Sequence, residues 1–279
     1  MEIKEPVIQR DQILFLDDAD FNAENVCLVT GCGTGIGRAT AVAAAANGLS
    51  VVGLDVNAET AAETQAKAEE MGGRMVFVPT DLTVDADIET AVAEAAKLGQ
   101  IRYLANIAGI QHIDAVEDFP MEKYDLMQRI MLRAPFFLSK LVIPHFRKSP
   151  DGKGAIGHMA SVHAHITTQR KPVYNITKFG LRALAQSIAA EGGGNIRSFT
   201  VSTGFVQTPL ALNQIPAQAR QRGISEEAVV TDVMMGASRI KEMMTPIEVG
   251  NLFMMGFSRF AKYLIGGDLL FDGGMVLTY

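Results

Sequence analysis

The chain has 279 residues, 48% of them hydrophobic, and a formal net charge of −6. That length and apolar content allow a sizeable α/β core. The acidic balance argues against nucleic acid, and no apolar run reaches membrane-spanning length. The two cysteines, Cys27 and Cys32, supply neither a disulfide framework nor a metal-ligand set. They point to a reducing cytoplasm, and the opening MEIKEPVIQRDQ has no apolar signal core.

Residues 1–24 read as an N-terminal extension. Ile13 to Leu16 is an apolar knot among Asp17, Asp18 and Asp20, suited to packing on the body or on a neighbouring subunit. A disordered tail is the other reading of this segment. Val26 to Thr30 is then a short apolar run that ends in TGCGTGIG and is followed by RATAVAAAA, a run of strong helix formers. This is strand, glycine turn, helix. Gly31, Gly35 and Gly37 let the backbone turn tightly, and the helix start aims free N–H groups at a phosphate.

Val51 to Leu54 is the next strand and ends in Asp55. An acid about 20 residues past such glycines suits the hydroxyls of an adenosine ribose and repels a 2′-phosphate. Neither Thr34 nor Val56 is basic, so the pattern reads as NAD rather than NADP. The alternation continues with a helix over 61–70, a strand over 75–79 leading to Asp81, a helix over 88–98, and a strand over 103–107. A long helical stretch covers 124–146, with Pro135 and Pro144 expected to bend it. A strand over 154–160 delivers Ser161, a helix covers 174–191, and a strand over 196–202 runs into Thr203-Gly204. Residues 247–257 are helical and 268–271 form a last strand. Strands alternating with crossover helices predict a parallel sheet covered on both faces, with ligands at the carboxyl ends of the strands. The glycine loop, Asp55, Asp81, Asn106, Ser161 and Thr203-Gly204 all fall there. Between 205 and about 245 the pattern breaks into short pieces rich in methionine, including Met234-Met235 and Met243-Met244. They suit a helical lid over the site.

The chemistry concentrates between Ser161 and Lys178. Tyr174 and Lys178 are four apart, which stacks them on one helix face. An ammonium near a phenol lowers its pKa from about 10 towards neutrality, so the phenol can exchange a proton with an alcohol or carbonyl oxygen. Ser161, thirteen residues before Tyr174, is placed to hold the same oxygen by hydrogen bond.

With these motifs in place, residues 25–279 resemble the short-chain dehydrogenase/reductase family. TGCGTGIG matches the cofactor loop and Asp81 the adenine-contacting aspartate. NIAG at Asn106 to Gly109 matches NNAG, and TGFVQTP at Thr203 to Pro209 matches the family's PGxxxT segment. The resemblance implies a single doubly wound Rossmann domain over 25–279 with its lid at about 205–245, commonly assembled as a homotetramer. It implies Ser161, Tyr174 and Lys178 as the catalytic trio. It also implies that NAD is held by Gly31, Thr34, Gly35, Ile36, Gly37, Asp55, Asp81, Leu82, Asn106, Tyr174, Lys178, Val206 and Thr208.

GIQH at 109–112, SVH at 161–163, Lys171 and TPLALNQI at 208–215 resemble the D-3-hydroxybutyrate dehydrogenases. In that group the matching positions Gln111, His163, Lys171 and Gln214 hold a substrate carboxylate. One ammonium among three neutral hydrogen-bonding groups independently suits a small carboxylate.

Three departures stand out. Met131 replaces a helix asparagine that holds a relay water, and a thioether donates no hydrogen bond. Thr203 replaces a proline before Gly204. The chain has no tryptophan, and Phe205 and Met275 stand where that group walls its pocket with one. A smaller wall admits a longer acyl chain. The expected activity is NAD-dependent interconversion of a short 3-hydroxy acid and its 3-oxo acid. Two other readings stand beside it. One is a related dehydrogenase of a polyol, sterol or acyl thioester; the other, suggested by Met131, is an NAD-binding regulatory protein without turnover.

Overall fold

A computed structural model describes residues 5–277, so Thr278 and Tyr279 of the matched span lie outside it. Seven parallel strands form one sheet in the order β3-β2-β1-β4-β5-β6-β7. They are β1 (Asn25–Thr30), β2 (Ser50–Asp55), β3 (Arg74–Pro79), β4 (Gln100–Asn106), β5 (Gly154–Met159), β6 (Ile196–Thr203) and β7 (Asp268–Phe271). Strand order reverses between β1 and β4, so the crossovers leave to opposite sides and a crevice opens there.

Side chains of β1 alternate between two cores. Cys27 and Val29 join one with helix α1 (Gly35–Ala46), α2 (Ala58–Glu70) and α10 (Pro246–Phe257); Val26 and Leu28 join the other with α3 (Asp85–Leu98), α5 (Ala134–Lys148) and α6 (Pro172–Glu191). The alanine run of α1 lets α10 approach closely. A Cβ added at Gly250 would lie 3.0 Å from the Ala39 backbone.

The strand expected over 103–107 starts at Gln100 and stops at Asn106. Glu24 accepts the Gln100 N–H at 2.8 Å and starts the strand early, while Thr30 Oγ1 accepts the Ile107 N–H at 2.8 Å and takes that residue out of the ladder. The long helix differs more. It runs as α4 (Met121–Gln128), a π turn over Arg129–Arg133, and α5. Pro135 has no N–H to give the Met131 carbonyl four residues before it, and the Ala134 N–H donates to Arg129 instead of Ile130. The chain relieves the proline by widening the turn before it.

Residues 5–24 pack on the body. Ile8 and Ile13 are buried, while Leu14 and Phe15 of the apolar knot are exposed. Asn47 accepts the Leu16 N–H and Asn251 accepts the Leu14 N–H, both at 2.9 Å, which ties the segment to α1 and α10. The lid segment contains α7 (Pro209–Leu212), α8 (Ile215–Arg222), α9 (Glu226–Ala228) and a π turn over Val229–Met234. Met234, Met235 and Met243 are buried there with Ile215 and Val229 as a small separate core. No described helix is long and apolar enough to cross a membrane.

Candidate active site

A cavity of about 340 Å³ opens at the carboxyl ends of the strands, from the glycine loop to Lys171 and Gln214. The loop after β1 is folded back by hydrogen bonds from the Gly31 and Cys32 amides to the Leu54 carbonyl, at 2.8 and 3.3 Å. Gly31 has φ +69° and Gly35 φ +57°, both left-handed. A Cβ on Gly37 would run into the Gly31 carbonyl oxygen, so only glycine lets α1 start this close to the turn.

The local chemistry fits a dinucleotide. Asp55 Oδ2 accepts the Gly33 N–H at 2.9 Å and Oδ1 accepts the Asn57 N–H at 3.0 Å, which fixes the carboxylate at the glycine-loop end of the cavity. Arg38, the nearby cation, is bound to Glu63 at 2.6 Å and to the Gly33 carbonyl at 2.9 and 2.6 Å, so these groups already engage its guanidinium. At the start of α1 the Gly35 N–H donates to Glu5 Oε1 at 2.7 Å, so a carboxylate already occupies an amide suited to a phosphate oxygen. Thr34, Ile36, Asp81, Leu82, Val206 and Thr208 line the same cavity. Asp81 Oδ1 accepts both the Thr83 amide and its hydroxyl, which holds the aspartate beside the crevice.

Asn106 is the exception. It does not line the cavity; its Nδ2 lies 3.2 Å from His158 Nδ1 inside the sheet, and its side chain is 4% exposed. It joins β4 to β5 within the sheet. His158 also meets Ser198 at 3.2 Å, and burial lowers its pKa to about 3.

Ser161, Tyr174 and Lys178 meet in the cavity. Ser161 follows β5, accepts the His163 N–H at 3.2 Å, and lies 3.1 Å from His163 Nδ1. Lys178 is buried and donates to the Met159 carbonyl at 2.7 Å, which fixes its ammonium beside the end of β5. Burial lowers its pKa to about 8. The expected drop in the Tyr174 pKa does not appear here: burial raises it, and only the Ser161 hydroxyl pulls against that rise. The Lys178 ammonium faces the ring, 5.2 Å from its centroid, and is tethered to a carbonyl. Desolvation therefore decides the direction.

The four carboxylate-binding candidates all line the cavity, but they are not equivalent. Lys171 is partly buried, its Nζ is 5.8 Å from the Phe205 ring centroid, and no described carboxylate pairs with it. Burial and then Arg222 lower its pKa. Gln111 Nε2 is buried without a partner among the described residues. Gln214 instead gives its amide nitrogen to the Leu210 carbonyl at 2.6 Å and leaves Oε1 unpartnered, so it presents an acceptor where the resemblance implies a donor. His163 engages both ring nitrogens, the second with Thr168 Oγ1 at 2.9 Å. Burial, then Lys171 and Lys178, lower its pKa to about 4, so the ring is neutral near pH 7.

Thr168, Glu5 and Arg38 carry contacts that the sequence reading passed over. Only the glycine-loop position of Arg38 could have signalled one of them. Met131 is 1% exposed and packs with Met127 and Val173, with Ile110 and Tyr174 against them.

Comparison with known proteins agrees with this geometry. The model of a family described as enoyl-(acyl carrier protein) reductase matches residues 31–276. A D-beta-hydroxybutyrate dehydrogenase of Rhizobium meliloti (strain 1021) is 32% identical over 253 residues, covering 88% of this chain and 96% of its own. A D-beta-hydroxybutyrate dehydrogenase of Cupriavidus necator is 30% identical over 251 residues, covering 89% and 96%. Among solved structures, a short-chain type dehydrogenase/reductase from Mycobacterium marinum superposes with a TM-score of 0.82 at 23% identity, over 92% of this chain and 98% of that one. At that identity the likeness speaks for the fold alone.

Proposed function

The chain belongs to the short-chain dehydrogenase/reductase family, oxidoreductases of alcohol and ketone groups that use a nicotinamide cofactor, and from that premise we propose that it takes NAD and interconverts a 3-hydroxy acid with its 3-oxo acid. The observation that carries this reading is Lys171: a partly buried ammonium with no described carboxylate partner, in the same cavity as Ser161 and Tyr174. An ammonium held away from water favours an anion, and Gln111 Nε2 offers a second donor to the same carboxylate.

The bound nicotinamide supplies the hydride acceptor or donor. The rest belongs to the protein. Lys171 and Gln111 orient the acid by its carboxylate. Ser161 donates its hydroxyl to the reacting oxygen, and Tyr174 exchanges that oxygen's proton. Lys178, tethered to Met159, places a positive charge beside the Tyr174 ring and favours the phenolate when it forms. His163, neutral and bonded to both Ser161 and Thr168, fixes the orientation of the serine hydroxyl. Asp55 selects the unphosphorylated ribose, since a 2′-phosphate brought beside it meets like charge with Arg38 already paired.

NADH formation from a panel of 3-hydroxy acids, polyols, sterols and hydroxyacyl thioesters tests the reading. Turnover confined to the 3-hydroxy acids supports it. Preference for a neutral alcohol places the protein elsewhere in the family, and cofactor binding without turnover on any alcohol favours a regulatory role. Gel filtration with light scattering tests the homotetramer that the resemblance implies. Fractionation of the source cell tests the cytoplasmic location.

A further inference from the structure

A second cavity, also of about 340 Å³, lies behind the first, and Gly204 and Phe205 are wall to both. Its apolar lining is largely sulfur and aromatic, with Met235, Met243, Met244, Met275 and Phe271, and three carboxylates, Glu242, Glu248 and Asp272, also border it. Met235 and Met243 present one side to the lid core and the other to this space. Among the described residues, no lysine, arginine or histidine lines it.

Its polar groups are largely satisfied by the protein. Glu248 accepts the Thr245 amide and hydroxyl at 2.6 and 2.9 Å, and Asp272 accepts the Gly274 and Val276 amides at 2.9 and 2.7 Å. Ser238 donates to the Ile240 carbonyl at 2.7 Å. Glu242 is solvent-exposed. An anion finds no cation here, and a polar ligand finds few free partners. Flexible thioethers suit a flexible apolar chain.

Gly204 and Phe205 are the lining that the two cavities share. The backbone of 205–207 is paired with Met244 by Met244 N to the Phe205 carbonyl at 3.1 Å and Gln207 N to the Met244 carbonyl at 2.8 Å. This fixes the main chain and leaves the half-buried Phe205 side chain as the partition. Gly204 faces Met275 at this shared wall, where a Cβ would sit 3.6 Å from Met275 Cε in ordinary contact.

We infer that the methionine cavity is the acyl-chain site, and that the substrate is a 3-hydroxy acid longer than four carbons whose tail passes Phe205 into it. This rests on the hydroxy-acid reading above and names the substrate class for it.

The test is a chain-length series of 3-hydroxy acids from four to ten carbons, assayed by NADH formation. kcat/KM should rise by about fourfold per methylene until the cavity is filled. In Met275→Trp the ratio of eight-carbon to four-carbon kcat/KM should fall at least tenfold. A profile that peaks at four carbons, or a ratio unmoved in a folded Met275→Trp or Met244→Trp protein, overturns the inference while leaving the hydroxy-acid reading intact. Calorimetry with the cofactor-bound protein and two unreactive acids tests the cavity without turnover. Octanoate should bind at least tenfold more tightly than butanoate, and Met275→Trp should erase the difference. Equal affinities in the unmutated protein overturn the inference. No turnover on any hydroxy acid, together with tight octanoate binding, removes the dehydrogenase substrate reading and leaves the cavity standing.

Discussion

The Lys178 ammonium lies 5.2 Å from the centroid of the Tyr174 ring and is anchored by the Met159 carbonyl at 2.7 Å. Burial holds the phenol above its ordinary pKa, so Tyr174 carries its proton at pH 7. Alcohol oxidation needs the phenolate as base and ketone reduction needs the phenol as acid. Oxidation should therefore speed up as pH rises above neutrality, and reduction should slow. Tyr174→Phe should remove both while NADH fluorescence still reports binding. A flat kcat/KM profile for oxidation from pH 6 to 10 rules out Tyr174 as the titrating base.

Cofactor choice follows from Asp55. Its oxygens are held by the Gly33 and Asn57 amides, and Arg38 is bound to Glu63. NAD should be preferred strongly over NADP, and Asp55→Ala should narrow the gap. Equal kcat/KM for the two cofactors in the unmutated enzyme contradicts the assignment. Glu5 adds a second expectation, since it holds the Gly35 amide that a phosphate oxygen would take. Glu5→Gln weakens that competitor, and KM for NAD should fall by about twofold to fivefold, the range of a charge at a helix start.

The carboxylate clamp should depend most on Lys171. Losing a charged hydrogen bond costs about 1.5–3 kcal/mol, so Lys171→Ala should raise KM for a 3-hydroxy acid by roughly tenfold to a hundredfold with little change in NAD affinity. Gln214→Ala should have a smaller effect, because its amide nitrogen is already given to Leu210. Steady-state kinetics on both variants decides, and a larger effect at Gln214 reverses the ranking.

Buried histidines make the fold sensitive to acid. His158 and His163 are lowered by burial to about 3 and about 4, below the ordinary 6.5. The unfolded chain therefore binds protons that the folded chain refuses once pH drops below about 6.5. Stability is full above that pH and is lost as pH falls towards 4, by on the order of 3 kcal/mol for each histidine. Urea midpoints at pH 7.5 and 4.5 should differ, and His158→Gln should reduce the difference. Equal pH dependence in the two proteins removes His158 from the account.

The parallel sheet was legible because its strands are short and largely apolar, and some are closed by a glycine or an acid, as in Val26 to Thr30 and Val51 to Asp55. The trio was legible because Tyr174 and Lys178 share a helix turn. What escaped was set by contacts distant in sequence. Asn106 turns to His158 on the next strand, and the methionine cavity joins residues from 204 to 275; Gln214 is the local exception, turning back to Leu210 of α7. No periodicity encodes these. Bends were expected from Pro135 and Pro144; Pro144 sits inside the continuous α5, while the missing N–H of Pro135 acts on the carbonyl four residues earlier, so the widened turn includes Met131.

That widened turn bears on how Tyr174 is reprotonated. A thioether at 131 cannot hold a relay water. The π turn, however, frees the main chain at this position: Pro135 offers no N–H to the Met131 carbonyl, and the Ala134 N–H goes to Arg129 rather than Ile130. Both carbonyls thus lack their usual helical donor, and Ile130 lines the cavity. A carbonyl accepts a water's hydrogen as well as an asparagine oxygen does, whatever side chain the residue bears. The Met131 side chain packs with Val173, with the Tyr174 ring against them, and serves as filler. The relay should therefore survive the departure from the family pattern. Met131→Asn should change kcat by less than about tenfold, under 1.4 kcal/mol in barrier, and should lower the melting temperature by placing an amide among apolar groups. Pro135→Ala restores an N–H for the Met131 carbonyl, so it should slow turnover more than Met131→Asn does, with a larger solvent deuterium effect. If Met131→Asn instead raises kcat a hundredfold, proton transfer is limiting in this protein and the backbone route is excluded.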